Sequence, residues 1–171
     1  MQADDGGSVY LRLSTRALEQ PDRTLTDAQT ADLLAGAYWQ VEPAPGAELA
    51  IVYSGPVVSE VQQAFAELVE DVPGLGILAV PSNDRLYHDW QRRLRNSNGG
   101  GVGTSHVGRL VSGHPAALSW IGSATGRRLY PLGVASFGQS GDIPDLYRHY
   151  GIDAAAIVDM AATACLEAAR G

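Results

Sequence analysis

The chain has 171 residues, the length of one ordinary domain, and its 45% hydrophobic content suffices for a real core. A formal charge of −7 argues against nucleic acid as a partner, because phosphate binding needs clustered Lys and Arg. The single Cys165 excludes an internally disulfide-stapled scaffold, and no apolar run nears the roughly 20 residues that span a bilayer.

The start, MQADDGGSVY, is acidic and Gly-rich rather than basic and then apolar, so it does not read as a signal peptide. No membrane partner is expected, and the expected location is the cytoplasm. Val9, Tyr10, Leu11, Arg12 and Leu13 alternate as a strand does. The polar stretch 19–32, broken by Pro21, reads as a linker. Residues 37–41 form a second expected strand, closed by the turn Pro43, Ala44, Pro45, Gly46. Residues 49–53 are a near-continuous apolar run, as in a strand buried on both faces.

After Ser54, Gly55 and Pro56 the period changes. Val57, Val58, Val61, Ala64, Phe65, Leu68, Val69 and Val72 share one face of a helix, with Pro56 suited to its first position. Pro73 and Gly74 stop that helix, and residues 75–80 return as an apolar strand. The expected unit is strand, right-handed crossover helix, parallel strand. Ser82 can cap the next helix, whose inward stripe is Leu86, Tyr87, Trp90 and Leu94. Arg92, Arg93 and Arg95 sit where that helix should end, complementing its dipole. Residues 96–103 read as a flexible loop, and short strands are expected over 116–121 and 129–134, the latter interrupted by Pro131. Asp142 can cap a short helix burying Ile143, Leu146, Tyr147 and Tyr150. Gly151 ends it, and Asp153 caps a final helix with Ile157, Val158, Ala161 and Cys165 inward. The alternation predicts a three-layer α/β/α sandwich around a mixed, mainly parallel sheet of about five strands.

Few residues suggest chemistry. The loop Gly99, Gly100, Gly101, Val102, Gly103 follows a charged helix and lacks the Lys-Ser or Lys-Thr pair of a phosphate cradle. In Gly138, Gln139, Ser140, Gly141 the second glycine comes one residue too early for a nucleophile elbow, and a turn into the Asp142 cap explains it. His88, His106, His114 and His149 show no metal-binding helical spacing. Cys165 reads as core, and Asp142, Asp145, Asp153 and Asp159 as caps and solvated faces. No catalytic, cofactor-binding or metal-binding residue is expected. Arg16 is the one substrate-contact candidate. It follows a probable strand, whose carboxyl end faces the ligand crevice in α/β domains, although a solvent-exposed linker arginine has the same pattern.

Three stretches together resemble the transketolase superfamily. Residues 9–16, ending Leu13, Ser14, Thr15, Arg16, are similar to the last strand of the pyrimidine-binding domain, and residues 36–42 to the entry of the C-terminal domain. Residues 131–141, with Gly133 and then Phe137, Gly138, Gln139, Ser140, resemble the end of that C-terminal domain, continuing through Leu146, Tyr147 and Arg148 to Tyr150, Gly151, Ile152 and Asp153. This last run, and more loosely residues 84–90, is nearest to the homodimeric decarboxylating component of pyruvate dehydrogenase.

The resemblance implies a parent enzyme using thiamine diphosphate and Mg, in which those cofactors sit on another domain bearing a Gly-Asp-Gly motif. That motif and the body of the pyrimidine domain are missing from these residues. Residues 1–33 then correspond to a remnant last strand plus linker, and 34–171 to the C-terminal-like domain. The implied role is structural and dimer-forming within a pyruvate or other 2-oxo acid dehydrogenase, inactive in isolation. The C-terminal domain of a transketolase and a free-standing protein-interaction module are the alternatives. In a transketolase context Arg16 matches an arginine that contacts the sugar phosphate. Implied partners are the remaining parent domains, further subunits of a 2-oxo acid dehydrogenase complex, and a second copy. The apolar Tyr10, Leu11 and Leu13 predict the self-association.

Overall fold

The computed structural model describes residues 16–18, 24–95, 109–112, 117–136 and 138–170. The strand expected over 9–13 and the loop expected over 96–103 lie outside them, as do Tyr10, Leu11 and Leu13. In chain order the elements are α1 (Asp27–Ala35), β1 (Tyr38–Val41), β2 (Leu49–Tyr53), α2 (Val58–Leu68), β3 (Gly76–Ala79), α3 (Asn83–Arg95), β4 (Arg109–Ser112), α4 (Trp120–Thr125), β5 (Arg128–Pro131), α5 (Ile143–His149) and α6 (Ala154–Ala168).

The five strands form one sheet in the order β1-β3-β2-β4-β5. β2 pairs parallel with β3 and β4, and β4 parallel with β5, whereas β1 runs antiparallel on β3 with an irregularity between Trp39 and Val41. The expected mixed, mainly parallel three-layer sandwich is the observed one.

The central strand shows why. All five residues of β2 are buried, and they divide by parity. Leu49, Ile51 and Tyr53 enter one core with Val61, Ala64 and Leu68 of α2 and Ile157, Ala161 and Ala164 of α6. Ala50 and Val52 enter the other with Leu86 of α3 and Ile121 of α4. Successive side chains of a strand leave opposite faces, so one apolar run seeds two cores. The crossover helix from β2 to β3 and the one from β3 to β4 lie on opposite faces, as a constant crossover hand requires when the chain reverses direction across the sheet.

Several expectations need correction. The stretch expected as a linker over 19–32 contains most of α1. Its start is a capping box: Thr26 Oγ1 accepts from Gln29 N (3.2 Å) while Gln29 Oε1 accepts from Thr26 N (3.1 Å). Gly36, at φ 117°, closes the helix, which packs against β1 and α3. Where a strand was expected over 116–121, residues 117–119 are a turn leading into α4. Leu118 and Ile121 are fully buried there, and Trp120 Nε1 donates to Asn83 Oδ1 and to the Ala117 carbonyl (3.0 Å each). The missing parallel strand is β4, which no apolar run announces.

Smaller shifts concern ends. Val57 is the N-cap of α2, so Pro56 lies one residue outside the helix rather than at its first position. Leu94, expected inward, is 57% exposed. A helix of thirteen residues spans about 20 Å and a strand of four about 13 Å, so the last turn of α3 overhangs the sheet. β5 ends at Pro131, tolerated because β5 is an edge strand. α5 carries no fully buried residue, so Ile143, Leu146, Tyr147 and Tyr150 are only half-buried, and Asp142 occupies its N-cap without a side-chain cap bond. Asp153 does cap α6, accepting from Ala156 N at 3.0 Å.

Candidate functional site

The parallel strands β2 and β5 deliver the chain to the same edge of the sheet. From β2 it turns through Ser54, Gly55 and Pro56 into α2, whose first turn carries Glu60. From β5 it passes to α5 and then, through Gly151 and Ile152, to the start of α6. Crevices at the carboxyl ends of parallel strands are the usual ligand sites of such sheets. Here the crevice is a cleft of about 240 Å³, lined by Arg16, Glu60, Gln63, Ile143, Arg148 and Asp153 among others.

Arg16 lies at this edge, and its guanidinium fork is engaged within the chain. Nη2 donates to Glu60 Oε1 at 2.8 Å and Nη1 to Glu60 Oε2 at 3.0 Å, with a longer bond from Nη1 to the Pro56 carbonyl (3.4 Å). The guanidinium carbon lies 5.1 Å from the centre of the Tyr147 ring. The two paired side chains are 22% and 14% exposed. The hydrogen bonds that Arg16 donates to Glu60 raise the Arg16 pKa above its ordinary value. Partial desolvation opposes this, and Tyr147 adds to it. Glu60 also sits where the dipole of α2 favours negative charge.

The rest of the cleft is similarly self-paired. Arg148 donates to Asp145 at 3.3 Å, and Asp153 is occupied as the cap of α6. No paired nucleophile and base meet here among the described residues. Gly138, Gln139, Ser140 and Gly141 form an exposed approach to α5, not an elbow between strand and helix. His88 and His149 are exposed on different helices, and His106 and His114 lie outside the described residues. Among the described residues no group of three His, Cys, Asp or Glu side chains is placed to hold a metal ion. Cys165 is half-buried against the α2/α6 core. Arg92 pairs with Asp89 and Arg95 with Gln91 in the last turns of α3, as an exposed basic helix end does.

Two features escaped the sequence. Glu60 reads as an ordinary first-turn acid, and nothing marks a partner 44 residues upstream. The second is an aromatic cluster on the opposite face: Trp90 stacks on Trp120 at 5.2 Å and 26°, and Tyr87 packs edge-on to Trp120 at 5.2 Å. Tyr87 and Trp90 were legible as a stripe, but Trp120 was not, because its segment read as a strand. A second, charged cleft of about 500 Å³ lies between α1 and α3, where Arg85 donates to the Leu34 carbonyl at 3.1 Å.

This combination of layers, strand order and edge cleft is a transketolase-like fold. A transketolase from Leishmania mexicana superposes over 75% of this chain and 18% of its own, with a TM-score of 0.55 at 23% identity. A transketolase from Campylobacter jejuni matches over 86% of this chain and 20% of its own, with a TM-score of 0.57 at 19% identity. A structure described as a split gene transketolase, inactive beta4 tetramer, matches over 87% of this chain and 46% of its own, with a TM-score of 0.57 at 14% identity. This chain thus spans about a fifth of the first two proteins and under half of the third. No protein-family model and no curated protein matches it.

Proposed function

We propose that this chain is the C-terminal structural domain of a thiamine-diphosphate enzyme of the transketolase superfamily, and that it supplies scaffold and dimer contacts rather than the catalytic centre. The fold carries the reading: the transketolases it superposes on are several times longer, and the matched part is a single three-layer unit. Thiamine diphosphate and Mg belong, on this reading, to the other domains of the parent enzyme. A matched structure described as a split gene transketolase, inactive beta4 tetramer, supports the reading of a dependent domain.

Residues 1–33 are proposed as the remnant of a preceding domain and 34–171 as the C-terminal-like domain. Helix α1, which contacts β1 and α3, lies across this border. Arg16 is proposed as a substrate-edge residue of the parent, although Glu60 now fills the fork that a phosphate or carboxylate would take. A cytoplasmic location and a two-fold dimer complete the proposal. Among the described residues no helix is long and apolar enough to cross a membrane.

Solved structures favour a transketolase parent. The run from Gly133 through Ser140 to Asp153 favours a pyruvate dehydrogenase parent, with other subunits of a 2-oxo acid dehydrogenase complex as its partners. Calorimetric titration of the chain with thiamine diphosphate and Mg tests the shared part. No heat of binding is expected, and micromolar binding overturns the scaffold reading. Sedimentation is expected to give a dimer, and a strict monomer removes the dimer role. The upstream reading frame separates the two parents by the substrate-binding residues it encodes.

A further inference from the structure

The contacts of Arg16 span three places that the sequence keeps far apart: residue 16, the turn and first turn of α2, and Tyr147 of α5. Surface ion pairs usually amount to little, because water screens them and two long side chains must be ordered. This one differs in three respects. Its geometry is fork-to-fork, both partners are mostly shielded, and the guanidinium is flanked by an aromatic face. The acid is also fixed in advance, being held on the first turn of a helix whose Val61, Ala64 and Leu68 are buried. Ordering the pair therefore costs mainly the freedom of the Arg16 segment.

We propose that the α2–α5 edge is a docking seat for the chain's own N-terminal arm, with Arg16 the anchor and Glu60 its receptor. The inference does not depend on which reaction the parent enzyme performs, nor on thiamine binding, so it stands or falls separately from the scaffold reading.

The test is hydrogen exchange on the full chain carrying Arg16→Gln, Glu60→Gln, both together, or Arg16→Lys. A docked arm opens locally, so exchange of the peptide covering residues 16–18 is expected to rise about tenfold in each Gln variant, between the effects of exposed and buried pairs. Amides of Val61 to Leu68 should be unchanged. The double variant should resemble the singles, because one interaction is removed once. Arg16→Lys keeps the charge but loses the fork and should fall between wild type and Arg16→Gln. Unchanged exchange at residues 16–18 overturns the seat, and so does an additive double variant. A uniform rise across α2 and α6 also overturns it, since that marks a general loss of stability and not an arm released from its anchor.

Discussion

Replacing Gly36 by alanine should be one of the most damaging small substitutions in this chain. Gly36 ends α1 at φ 117°, a left-handed conformation in which a Cβ costs about 1–2 kcal/mol. Space is the second problem. A Cβ there falls 2.6 Å from the Ser82 carbonyl oxygen, 2.9 Å from Leu86 N and 3.2 Å from Leu86 Cβ. These are backbone and buried atoms at the start of α3, so relief requires moving that helix. Overpacking of this kind costs about 1–3 kcal/mol. The same shift strains the bond from Ser82 N to the Gly36 carbonyl (3.2 Å), worth about 1 kcal/mol. Together the loss is about 3–6 kcal/mol, a large share of the ~5–15 kcal/mol of a typical domain. At this chain length it lowers Tm by about 6–24 °C. Gly46→Ala is the control, with φ 84° but open space around its Cβ, and should cost only the conformational 1–2 kcal/mol. Urea melts with matched m-values measure both. If Gly36→Ala came within 1 kcal/mol of the control, the close approach of α1 to α3 would be wrong.

Other outcomes follow from single contacts. Trp120→Phe removes the donor shared by Asn83 and the Ala117 carbonyl and should cost about 1–3 kcal/mol in the same melts. Thr26→Ala breaks the capping box and should cost about 1 kcal/mol, with helical CD lost ahead of the main transition because α1 buries no residue fully. The Asp84 carboxyl is held below its usual value, chiefly by the Ser82 hydroxyl (2.6 Å) and then by the Arg85 amide. A depressed carboxylate stabilises above its unfolded pKa, and that contribution is lost as pH falls through the folded value. NMR titration should show the Asp84 midpoint returning upward in Ser82→Ala.

What the sequence discloses depends on who makes the contact. β2, α2 and β3 were legible because their cores are written locally: apolar runs for strands buried on both faces, then a 3.6-residue stripe. α1 was misjudged on polarity, although Thr26 and Gln29 carry a capping box that could have revealed it. Trp120 and Ile121 are strong strand formers, yet tertiary packing of Leu118 and Ile121 and the Trp120 bonds make residues 117–121 a turn and the start of a helix. β4 is four residues whose strand character comes from sitting between β2 and β5. Glu60 and Tyr147 as the partners of Arg16 could come only from the fold.

The parity of β2 also limits how this gene can vary. Losing or gaining one codon inside Leu49–Tyr53 sends every later residue of the strand to the wrong layer, so Tyr53 would have to fit beneath α3 and α4 where only Val52 fits now. No compensating point change repairs a whole strand. Pro45 and Gly46, at the tip of the turn before this strand, carry no such phase: both are exposed, and a Cβ on Gly46 meets nothing within 4 Å. Library members with altered length should therefore survive at that turn and vanish a few codons later, a frame of reading imposed by the sheet and not by the ribosome.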